Sequence, residues 1–213
     1  MPLPHSPPAW PVFRSFGPLA VRFPPVATFD DVLRSRRSIR SMRPAPLRTV
    51  ANLLAYATCV TAELVGDPLG RTRRPTPSAG ALHPVEIVLV HGGGPRLFRC
   101  EPGSGVLQLL APADRRALGA LSARVRSIVP EADGSLLVFL ADASKTAAAY
   151  EHSLSLVWRD AGALLQTVHL SAAAFGLAFC PLGILGSEVA SALFPDATMR
   201  AVGMAVVGRP VSR

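Results

Sequence analysis

Apolar residues recur along this 213-residue chain at two periods, and the switches between them mark its elements. Leu47, Val50, Leu53, Leu54 and Ala57 fall on one face of a 3.6-residue repeat, which predicts an amphipathic helix over residues 46–58. A cap at Thr28 or Asp30 opens a shorter helix over 29–35. Residues 85–91 and 135–141 are apolar runs of strand length, and 96–100 and 106–110 flank Pro102-Gly103-Ser104-Gly105 as a hairpin. Gly92-Gly93-Gly94 breaks the chain between the first strand and that hairpin. Helical spacing returns at 113–128 and again at 144–175, in one piece or two, with Leu164, Leu165, Val168, Ala172 and Phe175 on one side. Gly162, Ala163, Ala172, Ala173 and Ala174 leave room on that last helix for another to approach. Strands at 177–180 and 201–207 enclose a short helix at 187–194, and 66–80 reads as loop. Strands and helices mix without strict alternation, so the class is α+β.

Residues 1–27 hold eight prolines and no clear period, and are expected to be an extended arm ahead of one domain over 28–213. The stretch 161–187 has no charge and is long enough to suggest a membrane span. Gln166, Thr167 and His169 interrupt it, and Gly176, Pro181, Gly183 and Gly186 would break a single helix, so no membrane is expected. The first residues lack the charged and apolar regions of a signal peptide. Cys59, Cys100 and Cys180 are odd in number and widely spaced, as in reduced thiols of a cytoplasmic protein. No metal-ligand spacing occurs, and no metal is expected. The net charge of +8 is almost wholly arginine, since Lys145 is the only lysine; it favours anionic ligands. With no nucleic-acid-binding motif present, nucleic acid is not the expected partner.

Two segments carry the chemistry. Pro77-Ser78-Ala79-Gly80-Ala81-Leu82-His83-Pro84-Val85-Glu86 is a small-residue turn running into a strand, where glycine and alanine let main chain approach a flat ligand. About forty residues earlier stands Arg36-Arg37-Ser38-Ile39-Arg40, whose guanidinium forks suit phosphate. Each has a plainer reading: a tight loop entering a strand, and basic residues that offset a helix dipole. The chain has neither a Rossmann nor a P-loop fingerprint, so a nicotinamide would have to bind transiently over another cofactor.

Together the two segments resemble the FMN-dependent nitroreductase superfamily over roughly residues 28 to 210. The turn is most similar to the SagB-type dehydrogenase branch, whose members oxidise azoline rings in ribosomally made peptides. The resemblance implies a nitroreductase-type sandwich: a central, mainly antiparallel sheet flanked by helices, with FMN at a homodimer interface. It implies that Arg36, Arg37, Ser38 and Arg40 hold the phosphate and ribityl chain, and that Pro77, Ser78, Ala79, Gly80 and Ala81 approach the ring. In the Cys180-Pro181-Leu182-Gly183-Ile184 segment, backbone of Leu182, Gly183 and Ile184 would face flavin N5. Arg209, beyond the last expected strand, would complete the phosphate site. Cys180, with apolar neighbours and no local cation, reads as a buried inert thiol.

SagB-type enzymes carry adjacent lysine and tyrosine before the long helix, credited with removing the azoline proton. Ala149 and Tyr150 stand there in this chain. A phenol with its ordinary pKa near 10 must fall by about three, or about 4 kcal/mol, to act as a base near neutrality. Lys145 lies one helical turn earlier and can substitute for the absent cation. The implied activity is an FMN-dependent dehydrogenase of a modified peptide or related small substrate, alone or within a peptide-modifying enzyme complex. The alternatives are an NAD(P)H-dependent nitro, quinone or enone reductase, and a non-catalytic partner that keeps the fold.

Overall fold

The structure is a computed structural model that describes residues 5–25, 27–92 and 96–211; Gly93 and Gly94 of the expected glycine break lie outside these. Strands β1 (Val12–Pro18), β2 (Met42–Arg43), β5 (Val85–His91), β6 (Arg96–Cys100), β7 (Val106–Leu110), β8 (Ser135–Ala141), β9 (Ala178–Leu182) and β10 (Arg200–Pro210) form one sheet. Its order is β1-β7-β6-β5-β8-β10-β2, with β9 also paired to β10, and every pairing is antiparallel. A separate two-stranded hairpin joins β3 (Ala62–Glu63) to β4 (Thr72–Arg73) inside the segment expected to be loop.

Both faces of the sheet are covered, which explains why its central strands read as apolar runs. On one face α2 (Leu47–Thr58) and α5 (Ser153–Ala174) bury Leu53, Leu54, Val157 and Val168 against Val85, Ile87, Leu89, Phe139 and Val207. On the other, α3 (Arg116–Ile128) and α6 (Ser187–Leu193) bury Leu118, Leu121 and Val189 against Val88, Val138, Leu140 and Met204. Each fully buried aliphatic side chain contributes about 1.5–3 kcal/mol relative to exposure. The α+β sandwich, with a central antiparallel sheet flanked by helices, is as expected.

The first helix, α1 (Phe29–Ser35), begins at Thr28, whose Oγ1 accepts from Asp31 N while Asp31 accepts from Thr28 N, a closed capping box. Helix α3 starts at Arg116 rather than 113, because Asp114 Oδ1 turns back to accept from Arg116 N. The expected long helical region is two helices, α4 (Ala143–Ala147) and α5, joined by a turn in which Tyr150 N still donates to Thr146 O at 3.0 Å. The final strand does not end before Gly208: β2 gives Arg209 and Pro210 partners at Arg43 and Met42, so Arg209 sits in β10 itself. Within the expected arm, β1 pairs with β7. Trp10 meets Phe194 edge-on at 5.0 Å between centroids and lies under Arg99.

Ala172, one of the small residues expected at a helix–helix contact, is wholly buried in the chain's own core beside α2. Ala172→Leu should therefore destabilise the single chain by about 1–3 kcal/mol through overpacking. Calorimetry should read this as a fall of several degrees in Tm; an unchanged Tm would place Ala172 outside the core.

Candidate functional site

The turn at 77–83 owes its shape to one carboxylate. Asp160 lies on the apolar stripe of α5 between Val157 and Leu164, only 7 % exposed. Its Oδ2 accepts from Ser78 Oγ at 2.5 Å and its Oδ1 from Ala79 N at 3.1 Å. Ser78 Oγ in turn accepts from His83 N at 2.9 Å, which closes the loop on itself. Between these anchors Gly80, Ala81 and His83 all take left-handed backbone conformations, with φ of 58°, 56° and 48°. At Ala81 and His83 such angles persist only where the surroundings over-determine them.

Gly80 is required for a second reason. A Cβ there would stand 2.6 Å from Tyr150 Oη, so a larger residue would push the phenol from its place. The tyrosine and the turn, seventy residues apart along the chain, thus meet at Gly80. Lys145 joins the same neighbourhood. Burial lowers its pKa first and Arg74 second, against the opposing pull of Glu86, Asp142 and Asp67. Asp142 N-caps α4, its Oδ1 accepting from the amides of Ser144 and Lys145, while His5 Nε2 meets its Oδ2 at 2.7 Å. Glu86 is engaged structurally, accepting from Arg99 Nε, which also reaches Gln108 through Nη1 at 2.8 Å. His83 Nε2 donates to Thr72 O at 2.9 Å, and its pKa falls to about 4 through burial first and the Arg74 charge second.

The basic segment gathers elsewhere. Ile39 N donates to Phe179 O at 2.9 Å, which ties 36–40 to β9. His169, on the C-terminal half of α5, stacks on Phe179 at 4.7 Å and donates from Nε2 to Arg37 O at 3.2 Å. Its pKa is lowered by burial, with the Arg36 charge adding to that effect. Arg40 reaches Cys180; burial pushes that thiol up while Arg40 pulls it down, so the expectation of no local cation is corrected. Arg37, Ser38 and Arg40 are exposed, and among the described residues no acid pairs with Arg36, Arg37, Arg40 or Arg209. No described backbone carbonyl accepts from the amides of Gly183 or Ile184, which follow β9. Unpaired guanidinium forks, a free hydroxyl and free amides are the donor set that a phosphorylated, planar cofactor such as FMN needs.

The expected site residues therefore form two groups. Arg36, Arg37, Ser38, Arg40, Leu182, Gly183, Ile184 and Arg209 attach to β9, β10 and the end of α5 near His169. Residues 77–81, Tyr150 and Lys145 attach near Asp160. Nine residues of helix separate Asp160 from His169, about 14 Å along its axis. Sequence reasoning missed Asp160, Arg74 and His169. For Asp160 a cue existed: it is an acid in phase with Val157, Leu164 and Val168 on an otherwise apolar helical stripe.

A family model described as the nitroreductase family matches residues 33–209. No curated protein sequence matches the chain. Among solved structures, a Ralstonia eutropha protein described as a nitroreductase superposes with a TM-score of 0.71 at 21 % identity, covering 100 % of this chain and 99 % of that one. A chain of the Escherichia coli microcin synthetase McbBCD complex, with truncated pro-MccB17 bound, gives 0.60 at 21 % identity over 89 % and 76 %. A nitroreductase family protein from Clostridium novyi gives 0.56 at 13 % identity over 87 % of each chain. At these identities the likeness concerns the fold. No helix among the described residues is long and apolar enough to cross a membrane.

His83 generates a pH prediction. Its folded pKa of about 4 lies below the ordinary 6.5, so the unfolded chain binds its proton first. The contribution of neutral His83 to stability is present above pH 6.5 and is lost as pH falls from there to about 4. Denaturation midpoints measured across that window should decline less steeply in His83→Gln. An identical acid limb in both proteins would contradict the buried, neutral imidazole.

Proposed function

Since the chain belongs to the nitroreductase family, we propose that it is an FMN-dependent oxidoreductase that dehydrogenates a modified, azoline-containing peptide or a related small substrate. The observation that carries the cofactor reading is the set of unpaired cations at Arg36, Arg37, Arg40 and Arg209 around the exposed Ser38 hydroxyl. Guanidinium forks with no ion-pair partner among the described residues are free to hold a terminal phosphate dianion through charge-assisted bonds. The peptide reading draws support from the likeness to a chain of a synthetase complex with a peptide bound, and from the turn 77–86.

FMN supplies the acceptor for the two electrons that leave the substrate carbon as hydride. The chain's own residues bind, orient and take the proton. Arg36, Arg37, Arg40 and Arg209 hold the phosphate with Ser38, and the amides after Leu182 at Gly183 and Ile184 donate toward the ring. Backbone of Pro77, Ser78, Ala79, Gly80 and Ala81 would approach the ring. Tyr150 Oη, in contact with Gly80, takes the substrate proton, and Lys145, the chain's one lysine, is the cation that would stabilise the phenolate. The two groups of residues stand about 14 Å apart on α5, so the reading includes a homodimer in which one copy's basic group faces the other's turn. Leu154 and Trp158, both exposed on α5, supply apolar surface for that contact.

Replacing both Arg36 and Arg40 with alanine should strip bound flavin, since each charge-assisted contact contributes about 1.5–3 kcal/mol. Absorbance of the purified variant checks this, and full flavin content would sink the phosphate assignment. Tyr150→Phe should keep flavin but lower turnover by about 10²–10⁴, the range for a lost general base. Single-turnover kinetics with an azoline peptide checks it, and near-normal turnover ends the role of Tyr150. Fast anaerobic reduction of the bound flavin by NAD(P)H would favour a reductase instead.

A further inference from the structure

Behind the turn lies a cavity that shares Pro77 and Ser78 with it and extends toward residues the flavin reading does not use. Its lining includes Leu54, Ile87 and Leu164 together with Arg74 and Thr76. Measured to the centre of a water-sized sphere it holds about 20 Å³, room for a water or one slim planar group and too little for a ring.

Its polar atoms are unevenly matched. Thr76 is 5 % exposed, and its Oγ1 is buried with no hydrogen-bond partner among the described residues. An orphan hydroxyl in such a place costs about 1–3 kcal/mol. Arg74 donates from Nε to Thr72 Oγ1 at 3.0 Å, and no described carboxylate lies within ion-pair distance of its other nitrogens. Burial is the main influence lowering its pKa, ahead of the raising effect of Glu86.

The two acids of the lining are committed. Asp160 accepts from Ser78 and Ala79, and Glu86 from Arg99. His83, also in the lining, is neutral above pH 4 or so. A partly buried guanidinium without an ion pair among the described residues and an unmatched buried hydroxyl thus line one narrow space together with hydrocarbon, and an anionic, flat head group satisfies both at once.

We propose that this cavity is a carboxylate-binding site, in which Arg74 pairs with the carboxylate, Thr76 Oγ1 donates to it, and the adjoining carbon meets Leu54, Ile87 and Leu164. The carboxylate can belong to a small free acid or to the C-terminus of a peptide. Neither source requires a flavin, so the site and the cofactor reading fail independently.

Titration of the purified full chain with ¹³C-acetate at constant ionic strength, followed by NMR, tests it. Saturable binding is expected that weakens at least about tenfold in Arg74→Gln, weakens in Thr76→Val, and survives in Thr76→Ser. Arg73→Gln, which removes an exposed neighbouring charge, should bind as the parent does. Should Arg74→Gln fail to fold, the Thr76→Val and Thr76→Ser pair still decides. Binding of N-acetylalanine but not its amide assigns the site to a peptide terminus, and binding of acetate with neither assigns it to a free acid. Absence of saturation in the parent, or equal affinity in Arg74→Gln and Thr76→Val, would overturn the proposal.

Discussion

A single buried carboxylate, Asp160, fixes the geometry on which the candidate site depends. Carboxylates are rarely left in an apolar layer, because an unpaired charge there costs several kcal/mol. Asp160 avoids that cost by accepting from a hydroxyl and an amide of the turn eighty residues earlier. The same two bonds hold three neighbouring residues in left-handed backbone, bring Gly80 against Tyr150, and set His83 beside Arg74. Long helix, turn and catalytic candidate are one mechanical unit because a desolvated anion needs these donors.

The basic segment obeys the opposite rule. Its guanidinium groups are mostly exposed, and among the described residues none of them forms an ion pair. Its position, by contrast, is set by neutral contacts: the Ile39 amide on β9, and His169 wedged between Phe179 and the Arg37 carbonyl. Separating what positions a cation from what pairs with it is how a binding loop stays ordered while keeping its ligand-facing groups free.

The departure at Ala149 changes chemistry more than structure. Alanine there packs beside the small Leu69, Leu82 and Ala148 cluster and costs the fold nothing. The lone lysine, one turn earlier, lies among Arg74, Glu86, Asp142 and Asp67 instead. Its environment therefore combines a repelling cation with three attracting carboxylates.

The sequence by itself determined the layers. Periods of 3.6 and 2 located α2, α6 and strands β5 to β8 because each buries side chains, and burial leaves a regular apolar mark, while α1, which buries none, was located by its cap. The small-residue turn and the basic segment were equally legible, since glycine and clustered arginine are chosen for local reasons. Only the tertiary structure decided the rest. Strand β1 is exposed along its whole length and is held by backbone pairing to β7, so nothing in its side chains alternates. The extension of β10 through Arg209 depends on β2, a strand of two residues drawn from far up the chain. The roles of Asp160 and His169 arise from partners 82 and 132 residues away whose proximity is a product of packing. Hydrogen bonds between distant side chains leave no period in a sequence, which is why the elements could be read from it and their chemical meetings could not.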